Sequence, residues 1–220
     1  LRARLSDARF FWDQDLKLKL QDRVPDLSKI NFFDRLGSVE DKSKRLQSLV
    51  PTICEYAGVD CVEKAVKAAK LAKADLSTTM VNEFPDLQGI MGGYYAIHSG
   101  EEAEVAQAIK DHYRPAFAGD SLPSGELGAI IAVADKLDTI IGCIGVGLIP
   151  SGSEDPYGLR RHALGILQIV LDQGWQISFQ NTVEASLDLI EKKAKLGKDE
   201  IKKHVEDLFF QRYKTLLIGE

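Results

Sequence analysis

At 220 residues and 24.3 kDa, with 45% hydrophobic and 28% charged residues, the chain is long enough to bury a substantial core and too apolar to be disordered. Its net charge of −5 advertises no nucleic-acid partner, although a local basic face operates on an acidic protein too. Apolar residues recur with helical rather than alternating spacing throughout, with no repeat, no low-complexity linker and no convincing hairpin, so an all-α fold is expected. The first helix is expected from about Leu1 to Leu20, after which VPDLSKINFFDRLG breaks the pattern with a proline and turn formers. Ser38 followed by Asp41 makes a capping box at the start of the next helix, which Pro51 should kink or divide.

The first half of VDCVEKAVKAAKLAKADLSTTMVNEF reads as an Ala-rich helix, and FPDLQGIMGGYYAIHSG as a short one. Another helix follows in EEAEVAQAIKDHY, with Ser99 and Glu102 again fitting a capping box. Two prolines and two glycines between Tyr113 and Gly125 mark a loop. A long apolar helix then runs from about Glu126 to Cys143. Asp155 and Pro156 read as N-cap and first helical residue of a helix through Leu171, and two charged helices, about Val183 to Lys195 and Lys198 to Leu217, complete the chain.

The run from Ala129 to Ile149 is long enough to span a bilayer, but Asp135, Lys136 and Asp138 lie inside it. Each would cost about 2.5–3.5 kcal/mol at a membrane centre, so a buried helix of a soluble protein is expected. Cys54, Cys61 and Cys143 lack metal spacing and read as reduced thiols, which points to a reducing, cytoplasmic compartment. No signal peptide and no Met open the chain, so an excised stretch of something longer is expected. His98, His112, His162 and His204 show no metal-ligand spacing and read as surface or hydrogen-bonded residues. There is no G-x-x-x-x-G-K-[ST] and no G-x-S-x-G.

Two acids stand out. Asp75 in LAKADLSTTM and Asp135 in VADKLDTIIG lie in segments apolar enough to be buried, and a buried carboxylate requires a cation, a metal or hydrogen-bond donors beside it. A second constellation is Arg160 and Arg161 in the first turns of the helix after the Gly/Ser loop 151–153. Leu159, Ala163, Ile166, Leu167 and Val170 form that helix's apolar face, leaving Arg161 outward and Arg160 on the flank. Such arginines hold phosphates by charge-assisted hydrogen bonds, or form a solvated face with Glu154 and Asp155 as local partners.

DKSKRLQSLV, KLAKADL and VADKLDTI resemble the segments that supply metal ligands in the HD superfamily of helical phosphohydrolases: a first histidine, a His-Asp pair and a later aspartate. By position, the two histidines correspond to Lys42 and Ala74, and the aspartates to Asp75 and Asp135. With both imidazoles gone, the resemblance implies a degenerate site in which the Lys42 ammonium forms a structural ion pair with Asp75 and Asp135, without metal and without catalytic residues.

Six longer motifs in order, ARLSDARFFWDQD, FFDRLGSVEDKSKR, AKADLSTTMVNEFPDLQGIMGGYYA, GEEAEVAQAIKDHYRP, GDSLPSGELGAIIAVADKLDTIIG and PSGSEDPYGLRRHALGI, resemble the bacterial glycyl-tRNA synthetase beta subunit. The resemblance implies an HD-like helical domain over 1–175, an internal piece of a larger subunit, with a helical extension over 176–220 leading toward a C-terminal anticodon-binding domain outside this chain. It further implies an ATP-dependent glycine–tRNA ligase in which a separate alpha subunit, with ATP and Mg, performs the adenylate chemistry. This segment would bind no cofactor. It would recognise the acceptor arm of tRNA-Gly, with Arg160 and Arg161 as RNA contacts, or touch the alpha subunit and the rest of the beta subunit, with no membrane role. A working HD nucleotide phosphohydrolase and a purely structural helical module are the alternatives.

Overall fold

The structure, a computed structural model, describes residues 2–33, 35–152 and 154–218, and the side chains from residue 4 onward. Leu1, with which the first helix was expected to begin, lies outside the described residues. Among the described residues ten α-helices run in chain order: α1 Arg2–Asp15, α2 Val39–Ala57, α3 Val62–Leu71, α4 Thr79–Glu83, α5 Ile90–His98, α6 Ala103–Asp111, α7 Glu126–Gly145, α8 Leu159–Asp172, α9 Phe179–Ile190 and α10 Lys198–Ile218. Short 3-10 turns cover Leu20–Lys29, Ala74–Ser77 and Pro85–Leu87. The all-α expectation holds for the architecture, and the expected loop after Tyr113 carries no helix or strand.

α7 is the axle. Its sequence carries apolar residues on every face, which an amphipathic surface helix does not, and it is buried from Leu127 to Asp138 and from Ile140 to Gly145. It packs against α2, α3, α6, α8, α9 and α10. Ile130, Ile131, Ile140 and Ile141 are fully buried, each contributing about 1.5–3 kcal/mol of transfer free energy. Val183, Leu187, Ile190, Ile201 and Val205 of α9 and α10 join the same core. No helix of the described residues is long and apolar enough to cross a membrane.

Several local expectations need correction. Asn31–Phe33 pairs antiparallel with Gly37–Ser38 as a small hairpin, β1 and β2. Strands of three and two residues with an irregular register leave no alternation to read. Pro51 does not divide α2, which is continuous from Val39 to Ala57. The Ser38–Asp41 capping box forms with both of its bonds. That of Ser99 and Glu102 does not: Ser99 ends α5, its Oγ accepts the Leu20 N–H at 2.8 Å, and Glu102 itself is the N-cap of α6.

α8 begins at Leu159 rather than Pro156, yet Asp155 still caps it from a distance. Its two carboxylate oxygens accept the N–H groups of Leu159 and Arg160, each at 2.8 Å. Of the two charged helices at the end, α9 is offset from expectation, starting earlier at Phe179 and stopping at Ile190, while α10 runs from Lys198 as expected.

Candidate functional site

Lys42 and Arg45 stand three residues apart on α2, as Asp135 and Asp138 do on α7, so each pair shares one helix face and the two faces meet. The Lys42 Nζ lies 3.1 Å from Asp135 Oδ1, an ion pair without hydrogen-bond angles, and 3.1 Å from Asp138 Oδ2. It also donates to the Thr139 hydroxyl at 2.8 Å and the Asp135 carbonyl at 3.1 Å. Arg45 grips Asp138 with two nitrogens, Nε at 2.6 Å and Nη2 at 3.1 Å. From the turn after α3, Lys73 donates to Asp135 Oδ2 at 2.9 Å and places its ammonium 3.8 Å from the centre of the Tyr113 ring. Lys42, Arg45, Lys73, Asp135 and Asp138 are all buried.

The electrostatics follow from this packing. Burial would raise the Asp135 carboxyl, but Lys42 and then Lys73 outweigh it and hold it well below the usual carboxylate range. Burial would likewise depress Lys42, but Asp135 and Asp138 raise it above its ordinary value. For Lys73 burial wins, pulling it down to about 8 despite Asp135. Lys136, the next residue on α7, points the other way: its ammonium donates to the Tyr113 carbonyl at 3.0 Å, and burial lowers it to about 8. Buried His112 donates Nδ1–H to the Ile109 carbonyl at 2.6 Å, and burial pulls it to about 3. Burial likewise takes His162 to about 4, so both imidazoles are neutral near pH 7.

Asp75 is separate. No ion pair joins it to Lys42 among the described residues. Its Oδ2 instead accepts the N–H of Gly89 at 2.6 Å and of Gly92 at 3.0 Å, at the start of α5. Gly89 is the N-cap of that helix and has no side chain to satisfy these donors, so Asp75 does so from the 3-10 turn across the core. A Cβ on Gly92 would sit 3.1 Å from that same oxygen and 2.9 Å from Ile109, so glycine is what allows the carboxylate this close. Burial raises Asp75 to about 6 against the pull of the two amides. The expected trio of Lys42, Asp75 and Asp135 is therefore brought together only as Lys42 and Asp135. Ala74 is fully buried in the apolar core.

A measurable contrast follows. Asp75→Asn keeps an acceptor for the amides and is expected to stay within about 1 kcal/mol of the parent at pH 7, whereas Asp75→Ala, which strands two buried donors, should cost about 2–5 kcal/mol. A carboxyl raised from 3.8 to about 6 on folding stabilises fully below the unfolded value and loses that contribution as pH rises through 6. Denaturant titrations between pH 4 and 7 should show this decline in the parent and not in the asparagine variant.

The donor set does not fit a divalent ion. The position beside Asp135 is taken by two ammonium groups, and among the described residues no three His, Cys, Asp or Glu side chains converge at ligand spacing. Sequence reading, which offers Arg45 or Lys136 as the next partner for Asp75 and Asp135 should Lys42 point elsewhere, missed Lys73 and the pairing of Arg45 with Asp138. The i,i+3 repetition of charge within α2 and α7 was the available signal for the last two, while Lys73 required the tertiary fold.

Arg160 and Arg161 lie apart from this centre, at the end of the bundle where the loop 146–158, the β1–β2 hairpin and the loop 191–197 meet. Arg161 is exposed. Half-buried Arg160 makes a long 3.4 Å bond to the Glu154 carbonyl. Lys195 N–H binds the Gly145 carbonyl at 2.7 Å, and Lys193 Nζ the Leu36 carbonyl at 3.0 Å, which ties the three segments together.

The family described as "Glycyl-tRNA synthetase beta subunit" matches residues 1–220. Among curated relatives, the glycine–tRNA ligase beta subunit of Trichlorobacter lovleyi is 45% identical over 216 residues, covering 98% of this chain and 31% of the relative. That of Citrifermentans bemidjiense is 48% identical over 217 residues, 99% of this chain and 32% of the relative. The Neisseria meningitidis serogroup C protein of the same name is 51% identical over 178 residues, 81% of this chain and 26% of the relative. The chain thus spans about a third of the length of the first two relatives.

Proposed function

The chain belongs to the glycyl-tRNA synthetase beta-subunit family, and from that premise we propose that it is a non-catalytic tRNA-recognition segment of a glycine–tRNA ligase. The ligase joins glycine to tRNA-Gly with ATP and Mg, and the adenylate chemistry lies in a separate alpha subunit. The cytoplasm is its compartment. This segment holds no cofactor: its HD-like centre is filled by Lys42 and Lys73, leaving nothing to activate a water.

The observation that carries recognition is the placement of exposed Arg35 and Lys195 around one groove beside Tyr157, with exposed Arg161 and half-buried Arg160 in the first turn of α8 just after it in sequence, on an acidic protein. Asp155, the nearest carboxylate in sequence to the arginine pair, spends both oxygens on the backbone of α8. Converting Arg160 and Arg161 together to alanine in the full synthetase is expected to raise the Michaelis constant for tRNA. Thermal stability should stay within about ±0.5 kcal/mol per site. An unchanged tRNA dependence would leave only a solvated face.

A second role, contact with the alpha subunit or the rest of the beta subunit, is supported by a stripe on α5. Ile90, Tyr94 and Ile97 are 38%, 54% and 52% exposed at helical spacing, more apolar surface than scattered single residues give.

A further inference from the structure

The Phe32–Phe33 pair of β1 is held from below by the buried cations. The Lys42 ammonium lies 4.6 Å and the Arg45 guanidinium 5.9 Å from the Phe32 ring centre, and Arg45 Nη1 also donates to the Leu36 carbonyl at 3.2 Å. Phe32 packs edge-on to Phe33 at 4.5 Å, and Phe33 edge-on to Tyr157 at 5.2 Å. The result is an aromatic ledge running from the core to the surface, where Tyr157 is still 39% exposed. Beside it lies a groove of 310 Å³, lined by Phe33, Tyr157, Val146 and Leu148 on its apolar side and by Arg35 and Lys195 at its rim.

That volume is at the small end of ligand sites, which begin at about 300 Å³, so it admits one nucleoside and not a base-paired step. An aromatic face with cations at the rim is the chemistry that takes an unstacked base on the ring and its phosphates on the charges. We infer that this groove binds a single unpaired RNA base, stacked on Tyr157, with Arg35 and Lys195 contacting the flanking phosphates. Lys42 and Arg45 then act as positioning residues that hold the hairpin where the ledge needs it. The inference rests on the tRNA-recognition reading and names the subsite within it.

Binding of tRNA-Gly to the full alpha/beta synthetase, titrated over salt, separates the two. Tyr157→Ala is expected to weaken binding about tenfold without changing the salt slope, because a lost stacking contact releases no counterions, while Tyr157→Phe keeps the parent affinity. Lys195→Ala, which leaves the ring contacts alone, should weaken binding and flatten the salt slope by about one unit or less. If Tyr157→Ala lowers the melting temperature, the Lys195→Ala result decides, and parent-like affinity there overturns the groove. Parent-like binding by a stable Tyr157→Ala protein, or equal loss in Tyr157→Phe, also overturns the base-stacking inference. If Arg160 and Arg161 variants still weaken binding in that case, the broader reading survives. Parent behaviour in all variants removes both.

Discussion

Asp135→Asn is expected to destabilise the chain by about 3–5 kcal/mol at pH 7, the cost of leaving buried cations without their counter-charge. Lys73 has no other ion pair among the described residues, and the Tyr113 ring offers an ammonium far less than a carboxylate does. Lys42 keeps Asp138, but shares it with Arg45. The deficit has a pH signature. Asp135 is what keeps the Lys73 ammonium, lowered by burial, as high as about 8; without it the native state sheds that proton at lower pH, so the variant's extra burden eases as pH rises from about 6 toward 8. The asparagine variant should therefore recover part of its loss over that range in denaturant titrations. A variant as stable as the parent at pH 7 would mean that Asp135 compensates nothing.

Lys42→Met is expected to cost about 3 kcal/mol, the lower end of the range for breaking a buried pair. It removes one cation from between two acids that each retain another, Lys73 for Asp135 and Arg45 for Asp138. The residual cost comes from the weakened neutralisation of both carboxylates, since the Thr139 hydroxyl and the Asp135 carbonyl lose the Lys42 donor but keep their bond to one another at 2.8 Å. Here the pH signature is acidic. Asp135 and Asp138, held below 3.8 in the parent, contribute stability that is full above the unfolded value and lost as pH falls through the folded one. The gap between parent and variant should close as these groups protonate. A gap independent of pH from 7 to 3 would point to lost packing of the lysine stem instead.

Much of this architecture was legible because it is written in local periodicity. An apolar run with three charges could only be a buried helix with a polar purpose, and α7 is that helix. Ser38 and Asp41 encode a cap in four residues, and the cap forms. Ser99 and Glu102 carry the same letters, yet a backbone donor 79 residues away claims the serine, which no local pattern records. The buried centre was half legible. Asp75 and Asp135 each announced a need for a partner, but the partners of Asp75 are glycine amides 14 and 17 residues on, and backbone donors have no residue letter. The ledge from Lys42 through Phe32 and Phe33 to Tyr157 was illegible for the same reason: it joins a helix, a hairpin and a loop that only folding brings together.

Lys42 and Lys73 set two ammonium groups against Asp135, in the place where the HD resemblance would have a metal. Elemental analysis of the purified chain, after dialysis against manganese, iron and zinc and then against buffer alone, tests it most directly. The expected result is no stoichiometric ion and no phosphate release from nucleotides. One tightly retained ion per chain, lost in the Asp135→Asn variant, would contradict it.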